Sequence, residues 1–309
     1  MEFDIVLSTL APIFLLMGLG FISRKIGILK SGDERILSAY VYYFALPALF
    51  LVDLSKVVFN EENLRFVAIG IVPILAALAI YTIIYLAIRL SKDAFYLLVL
   101  STVFGSLAFF GIPFIMFAFP SEGEYLATLS ASTISIISVP VSIAILESYR
   151  LGKAPVKEAV KIVAGKLSRN PLILSILAGI FLSLMRVKIP ELVLTPLSML
   201  GSTTATVAIF MLGVFLYGRK YVNITEAFKL SLLRAVFLPA IAVGVTVLFD
   251  LPNISKATII IMHGVPVAIS MMILSERYNF YKETIASLIL ISSLTAGIYL
   301  NLWLLFLGL

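Results

Sequence analysis

FGSLAFFGIPF at residues 104–114 and HGVPVAIS at residues 263–270 are apolar stretches interrupted by the same pattern: Gly111-Ile112-Pro113 in the first, Gly264-Val265-Pro266 in the second. Proline has no N–H and its ring clashes with the preceding helical turn, while glycine relaxes the backbone. Together they can open a helix. Backbone groups freed in an apolar medium need partners, so such an opening survives only where protein buries it or where it lines a wet cavity. A single site of this kind reads as an ordinary proline kink. Two matched sites read as a pair of broken helices that cross, with half-helix N-termini suited to an anion.

The surrounding sequence is that of an all-α membrane protein. Of 309 residues 61% are hydrophobic and 13% charged, against roughly 25% charged in a soluble domain. Ten apolar segments, each near the ~20 residues needed to cross a bilayer, separate at short polar breaks. They fall near 5–23, 34–55, 64–89, 93–119, 125–148, 170–187, 192–217, 224–249, 255–276 and 283–307. The start, Met1-Glu2-Phe3-Asp4, is acidic where a signal peptide is basic, so the first segment is expected to remain as a helix.

The net charge of +6 reads as loop charge rather than as a nucleic-acid surface. Seventeen Lys and Arg fall in the odd-numbered connections, among them Arg35, Lys153, Lys166, Arg219 and Lys220, and five fall in the even-numbered ones. The positive-inside rule then places the odd connections in the cytoplasm and both termini outside. A basic stretch at 149–169 divides the chain into two five-segment halves, 1–148 and 170–309. Pro12 and Gly20 match Pro171 and Gly179 in spacing, and Pro73 matches Pro239. An odd number of helices per half makes the halves inverted repeats, an arrangement that marks secondary transporters.

Chemistry-bearing residues are few. Ser106, Gly111, Ile112, Pro113, Gly264, Val265, Pro266 and Ser270 frame the breaks, and segment 5 adds a series of Ser and Thr. His263, the sole histidine, stands before the second break, where it could bind a carboxylate or couple transport to protons. Arg234 lies inside segment 8, and a charge within the membrane faces a cavity or snorkels to the interface. No Asp or Glu occupies mid-segment; Asp53 and Glu147 sit near segment ends. One histidine and no cysteine exclude most metal sites. No phosphate loop appears, and no nucleophile–base pair suggests an enzyme. The expectation is a carrier without cofactor or metal.

The chain resembles the auxin efflux carrier family, which includes plant PIN proteins and microbial permeases. The resemblance rests on YVYYFALPALFL (40–51), FGSLAFFGIPF, RNPLILSILAGIFL (169–182), LSMLGSTTATVAIFMLGVFLYGRK (197–220), LLRAVFLP (232–239) and HGVPVAISMMILSERYNF (263–280), in that order along nearly the whole chain. It implies ten transmembrane helices in two inverted five-helix repeats. Segments 1, 2, 6 and 7 form a scaffold that mediates a homodimer. Segments 3–5 and 8–10 form a transport unit whose broken helices 4 and 9 cross at Pro113 and Pro266. It further implies a plasma-membrane carrier of small organic anions, auxin-like or dicarboxylate, working by an elevator movement. Many relatives carry Asn where this chain has Ser106, and often Asn or another small polar residue at Ser270; a serine offers fewer hydrogen-bonding groups than an amide. Two other readings remain at this stage: a sodium-coupled carrier like the bile-acid symporters, and a non-transporting membrane sensor or scaffold.

Overall fold

In the computed structural model, which describes residues 2–58, 60–151, 156–218 and 221–308, sixteen α-helices follow one another. They are α1 (Glu2–Lys25), α2 (Asp33–Tyr40), α3 (Leu46–Lys56), α4 (Glu61–Ile88), α5 (Lys92–Val103), α6 (Ile112–Ala118), α7 (Gly123–Leu151) and α8 (Val156–Leu167), then α9 (Pro171–Leu184), α10 (Glu191–Ser202), α11 (Thr204–Leu216), α12 (Ile224–Leu232), α13 (Leu238–Thr246), α14 (Asn253–Gly264), α15 (Ser270–Tyr278) and α16 (Lys282–Phe306). Among the described residues there is no strand, only one backbone bridge, between Gly105 and Val267. Lys153, Arg219 and Lys220 lie outside the described residues, as does 152–155 of the basic connection.

Side-chain caps start several helices. Asn60 accepts from the Asn63 N–H at 2.8 Å, Ser91 accepts from Ala94 at 3.2 Å, and Asn170 accepts from Leu172 and Ile173 just ahead of Pro171. Three single π-turns, Val41–Ala45, Leu107–Gly111 and Leu233–Phe237, each end two residues before a proline: Pro47, Pro113 and Pro239. The cause is the same each time. The proline ring blocks the ordinary i−4 bond, and the residue ahead of it reaches one residue further back. Leu46 donates to Val41, Ile112 to Leu107 and Leu238 to Leu233.

Among the described residues six helical stretches are long and apolar enough to cross a membrane: Asp33–Lys56, Glu61–Ile88, Gly123–Arg150, Glu191–Leu216, Ile224–Thr246 and Lys282–Phe306. A seventh arises if α8 and α9, bent by 64° at their junction, count together. The apolar segments at 93–119 and 255–276 are not continuous spans; each is two short helices joined by unwound chain. The basic connection at 149–169 also differs from a simple linker, because it holds α8. Val163 and Leu167 stand four residues apart there, on one side of the helix.

Large apolar side chains stand exposed along these helices, for example Ile83, Leu86, Phe181, Leu192 and Leu248. In water so much exposed hydrocarbon would drive aggregation; in a bilayer, acyl chains solvate it. The protein is therefore a multi-pass membrane protein.

Two packing groups are evident. In one, α1 lies on α11, and α3 lies on α9 and α10. Backbones touch where α1 crosses α11. A Cβ at Gly20 would fall 2.9 Å from the Phe210 carbonyl carbon, and one at Gly213 would fall 2.8 Å from that of Met17, so only glycine permits the approach. In the other group, α4, α7, α12, α13, α14 and α16 pack on one another. The groups meet where α7 passes α3 and where the 107–111 π-turn meets α11.

Candidate functional site

The site is built from two interruptions of helix. α5 ends at Val103, and the chain unwinds over Phe104–Ser106 before the π-turn begins. α14 ends at Gly264, and Val265, extended at φ −56° and ψ 150° as a residue before proline prefers, starts the second break. The two unwound pieces run antiparallel and pair. Ser106 N–H donates to the Pro266 carbonyl at 2.7 Å, and Ala268 N–H donates to the Phe104 carbonyl at 3.0 Å. The crossing is thus Gly105 against Val267, which corrects the expected crossing at Pro113 and Pro266. Pro113 does not open its helix, because the π-turn absorbs the missing bond and α6 continues from it.

Side chains satisfy the carbonyls freed by this arrangement. Arg234, carried on the third π-turn and wholly buried, donates from Nε to the Val265 carbonyl at 2.6 Å and from a second guanidinium nitrogen to the Thr102 carbonyl. The Tyr299 hydroxyl donates to the Gly264 carbonyl at 2.8 Å. The Trp303 indole N–H donates at 2.8 Å to the carbonyl of Ala235, the acceptor four residues before Pro239 that the proline leaves without its helical donor. Tyr81 shares a hydrogen bond with Thr102 at 2.9 Å and stacks on Phe237 at 5.5 Å. Gly105 lies flat against the Arg234 guanidinium; a Cβ there would fall 2.9 Å from Nη1 and nearer to the other two guanidinium atoms.

On the other side of the crossing opens a cavity of about 680 Å³. Its wall runs from Arg35 and Ser38 of α2, Tyr42 of the first π-turn and Phe50 of α3, through Phe104–Phe109 and Ser135, Ser138 and Ser142 of α7, to Asn170, Leu172, Ala268, Ser270 and Leu274. It therefore lies between the two packing groups. The half-helices that begin at Leu107 and Ser270 both present their N-terminal ends to it, with the partial positive charge of such ends, although the Met271 and Met272 N–H groups bond back to Ala268 and Ile269. The Ser106 hydroxyl is buried without a hydrogen-bond partner among the described residues. Arg35 is the one formally charged residue in the lining, and no carboxylate is part of it. The chemistry this offers is recognition of a small anion by hydroxyl, backbone N–H and one cation.

The residues singled out in the sequence divide between these two places. Ser106 and Ser270 line the cavity. Gly111 packs on Met262 and Val265, Gly264 packs on Pro239 and Leu300, and Ile112 and Pro113 are buried beside them. Val265 and Pro266 belong to the crossover, and the other four are buried residues that do not line the cavity. His263 is also off the cavity. Its Nδ1 pairs with the Ile259 carbonyl at 2.7 Å one turn back, and its Nε2 is buried without a hydrogen-bond partner among the described residues. A helical i−4 acceptor takes up the imidazole, which is why the ring turns back rather than toward the break. Arg234 does not snorkel; it is held at the crossing.

Two functional features carried no signal in the sequence reading. Gly105 matters through a contact with Arg234, far away in the chain. Glu147, expected at a helix end, is fully buried and holds Lys166 of α8, Arg150 and the Tyr278 hydroxyl, with the Lys166 ammonium 5.0 Å from the Tyr278 ring centre. This knot ties α7, α8 and α15 together. Asp53, also near a helix end, accepts from the Thr128 hydroxyl at 2.9 Å and links α3 to α7. Among the described residues no cluster of three or more His, Asp or Glu side chains forms.

Comparison with known proteins points to a membrane transporter. The model of a family described as membrane transport protein matches residues 5–304. An uncharacterized transporter of Methanocaldococcus jannaschii is 27% identical over 97% of this chain and 97% of its own.

Proposed function

The chain belongs to the membrane transport protein family, an auxin efflux carrier-like family, and from that premise we propose that it carries small organic anions across the membrane by alternating access. The observation that supports this reading is the convergence of two half-helix N-termini, the unpartnered Ser106 hydroxyl and Arg35 on one cavity without a carboxylate. The proposal includes ten spans in two inverted halves of five: α1, α2–α3, α4, α5–α6 and α7, then α9, α10–α11, α12–α13, α14–α15 and α16. In support, the two unwound breaks fall in the fourth member of each half and pair with each other. The group of α1, α3, α9, α10 and α11 is the scaffold, through which family resemblance suggests a homodimer. The group around the crossover is the unit that moves in an elevator manner.

The cavity is bordered by Arg35, Asn170 and Leu274, close to the Lys- and Arg-rich connections. With those connections cytoplasmic in the plasma membrane and both termini outside, the cavity faces inward. An anion leaving through it gains ~2.3 kcal/mol per charge per 100 mV of inside-negative potential. His263 lies off the cavity, so uniport driven by that potential is favoured over proton coupling through His263.

The experiment is uptake into proteoliposomes of a panel of aromatic monocarboxylates and aliphatic dicarboxylates. At least one member is expected to accumulate without sodium. Ser106→Ala is expected to raise its KM by an amount equivalent to about 1.5 kcal/mol, one hydrogen bond to a charged group. Failure of every acid to accumulate with folded protein would overturn the anion reading, and strict dependence on sodium would favour the bile-acid-symporter type instead.

A further inference from the structure

The breaks have two faces, and only one of them is the cavity. On the opposite face the C-terminal ends of α5 and α14 converge, each with carbonyls lacking helical donors and with partial negative charge. Oxygen atoms of unwound backbone between two such ends are the setting in which carriers with broken helices hold a coupling cation. Here the Thr102 and Val265 carbonyls both point at Arg234. We propose that the Arg234 guanidinium is a resident counter-ion filling that cation position, so that the carrier needs no mobile coupling cation; the second clause rests on the carrier reading above.

Three observations carry the assignment. Arg234 is fully buried and among the described residues forms no ion pair, so the two helix ends are what compensate its charge. Its remaining nitrogen has no hydrogen-bond partner among the described residues, which is how a planar fork sits in a place shaped by carbonyl oxygens on only some sides. Gly105 allows the fit: one face of this residue lines the cavity, and the other touches the guanidinium. The fixed cation therefore stands one backbone thickness behind the anion's place and is wholly buried. Coupling by an exchangeable ion requires that ion to leave; a charge anchored to α12–α13 cannot.

The chain has one tryptophan, and its indole is bonded to Ala235, next to Arg234. Trp303 emission and thermal melting of the full-length protein in detergent therefore report on the position without any substrate. Wild type is expected to show no saturable response to millimolar guanidinium, sodium or potassium chloride relative to choline chloride. Arg234→Ala is expected to melt lower and to regain stability, with a saturable Trp303 shift, on adding guanidinium or one of the alkali cations. Arg234→Lys is expected to fold without added ion and Arg234→Gln to lose stability, which keeps the test open if the alanine variant does not fold. A folded Arg234→Ala that ignores all three cations, or equal stability of the Lys and Gln variants, overturns the counter-ion assignment. In proteoliposomes, wild-type flux that requires sodium overturns it while the anion reading stands. Cation binding by Arg234→Ala with no wild-type flux of any acid upholds the counter-ion assignment and defeats the carrier reading.

Discussion

Replacing Gly105 by alanine adds one methyl group at the most crowded point of the crossover. The Cβ would stand 2.9 Å from Nη1 of Arg234 and nearer to Cζ and Nη2, and the protein has two ways to relieve the clash. Either the guanidinium leaves, losing two charge-assisted hydrogen bonds at about 1.5–3 kcal/mol each and stranding a buried cation. Or the 104–106 backbone recoils, losing the two bridge bonds, Ser106 to Pro266 and Ala268 to Phe104, at about 0.5–1.5 kcal/mol each. The second is cheaper, so Gly105→Ala is expected to fold with a stability loss of about 1–3 kcal/mol and with the crossover pulled apart. Uptake should then fall far more than stability. Thermal melting followed by Trp303 emission, run beside proteoliposome uptake, measures both. Gly244→Ala is the control: nothing lies within 4 Å of a Cβ there, and in a helix the change gains up to about 1 kcal/mol. Wild-type melting and wild-type uptake by Gly105→Ala would refute the packing of Arg234 on this residue.

Other expectations follow from the same contacts. Trp303→Phe should cost about 1–3 kcal/mol by leaving the Ala235 carbonyl without a donor; in a Pro239→Ala background the cost should shrink, because residue 239 regains an N–H, and melting of the four variants in a cycle measures this coupling. Glu147→Gln should lower the melting temperature, by the equivalent of about 1.5–3 kcal/mol for weakened charge-assisted bonds, and should raise proteolysis of the α8 connection, since Lys166 and Tyr278 lose their shared carboxylate; unchanged proteolysis would count against the knot. Pro266→Ala should reduce uptake more than Pro113→Ala with folding retained in both, because an alanine N–H at 266 permits α14 to rewind through the break, whereas Pro113 sits after a π-turn that is already bonded; the reverse order of uptake rates would contradict this.

Much of the helical plan was legible, because an apolar run of membrane length has little alternative to being a helix, and proline and glycine mark its interruptions. The second break was read at its true position: Pro266 cannot continue α14, and Val265 before it is driven to an extended conformation. The first break lies seven residues upstream of the Gly111–Pro113 pattern, at Phe104–Ser106. The effect of a proline reaches upstream to its i−4 carbonyl, and at Pro113 a π-turn absorbed it, while Phe104–Ser106 unwinds because it pairs with residues 266–268, a tertiary cause with no local mark. The fate of Arg234 was equally hidden, since its partners are main-chain carbonyls at positions 102 and 265. His263 looks functional because it is unique, yet its Nδ1 is taken up by its own helix and the ring lies off the cavity. Ser270 reaches the cavity because it begins a half-helix after the second break, and Ser106 because the first break lies upstream of the proline that marks it.

The π-turn at Leu233–Phe237 has a bearing on how this span can change by mutation. It packs one residue more than an α-helix of the same rise requires, and one residue corresponds to a rotation of about 100° around the helix axis. The lipid-facing and crossover-facing stripes of α12 and α13 are consequently out of phase. Deleting any single residue between 233 and 237 would straighten the helix and bring them into phase, at the expense of swinging Arg234 or Trp303's acceptor to the wrong side. A one-residue gap here is therefore not a neutral length change. It is a rotation of half a span.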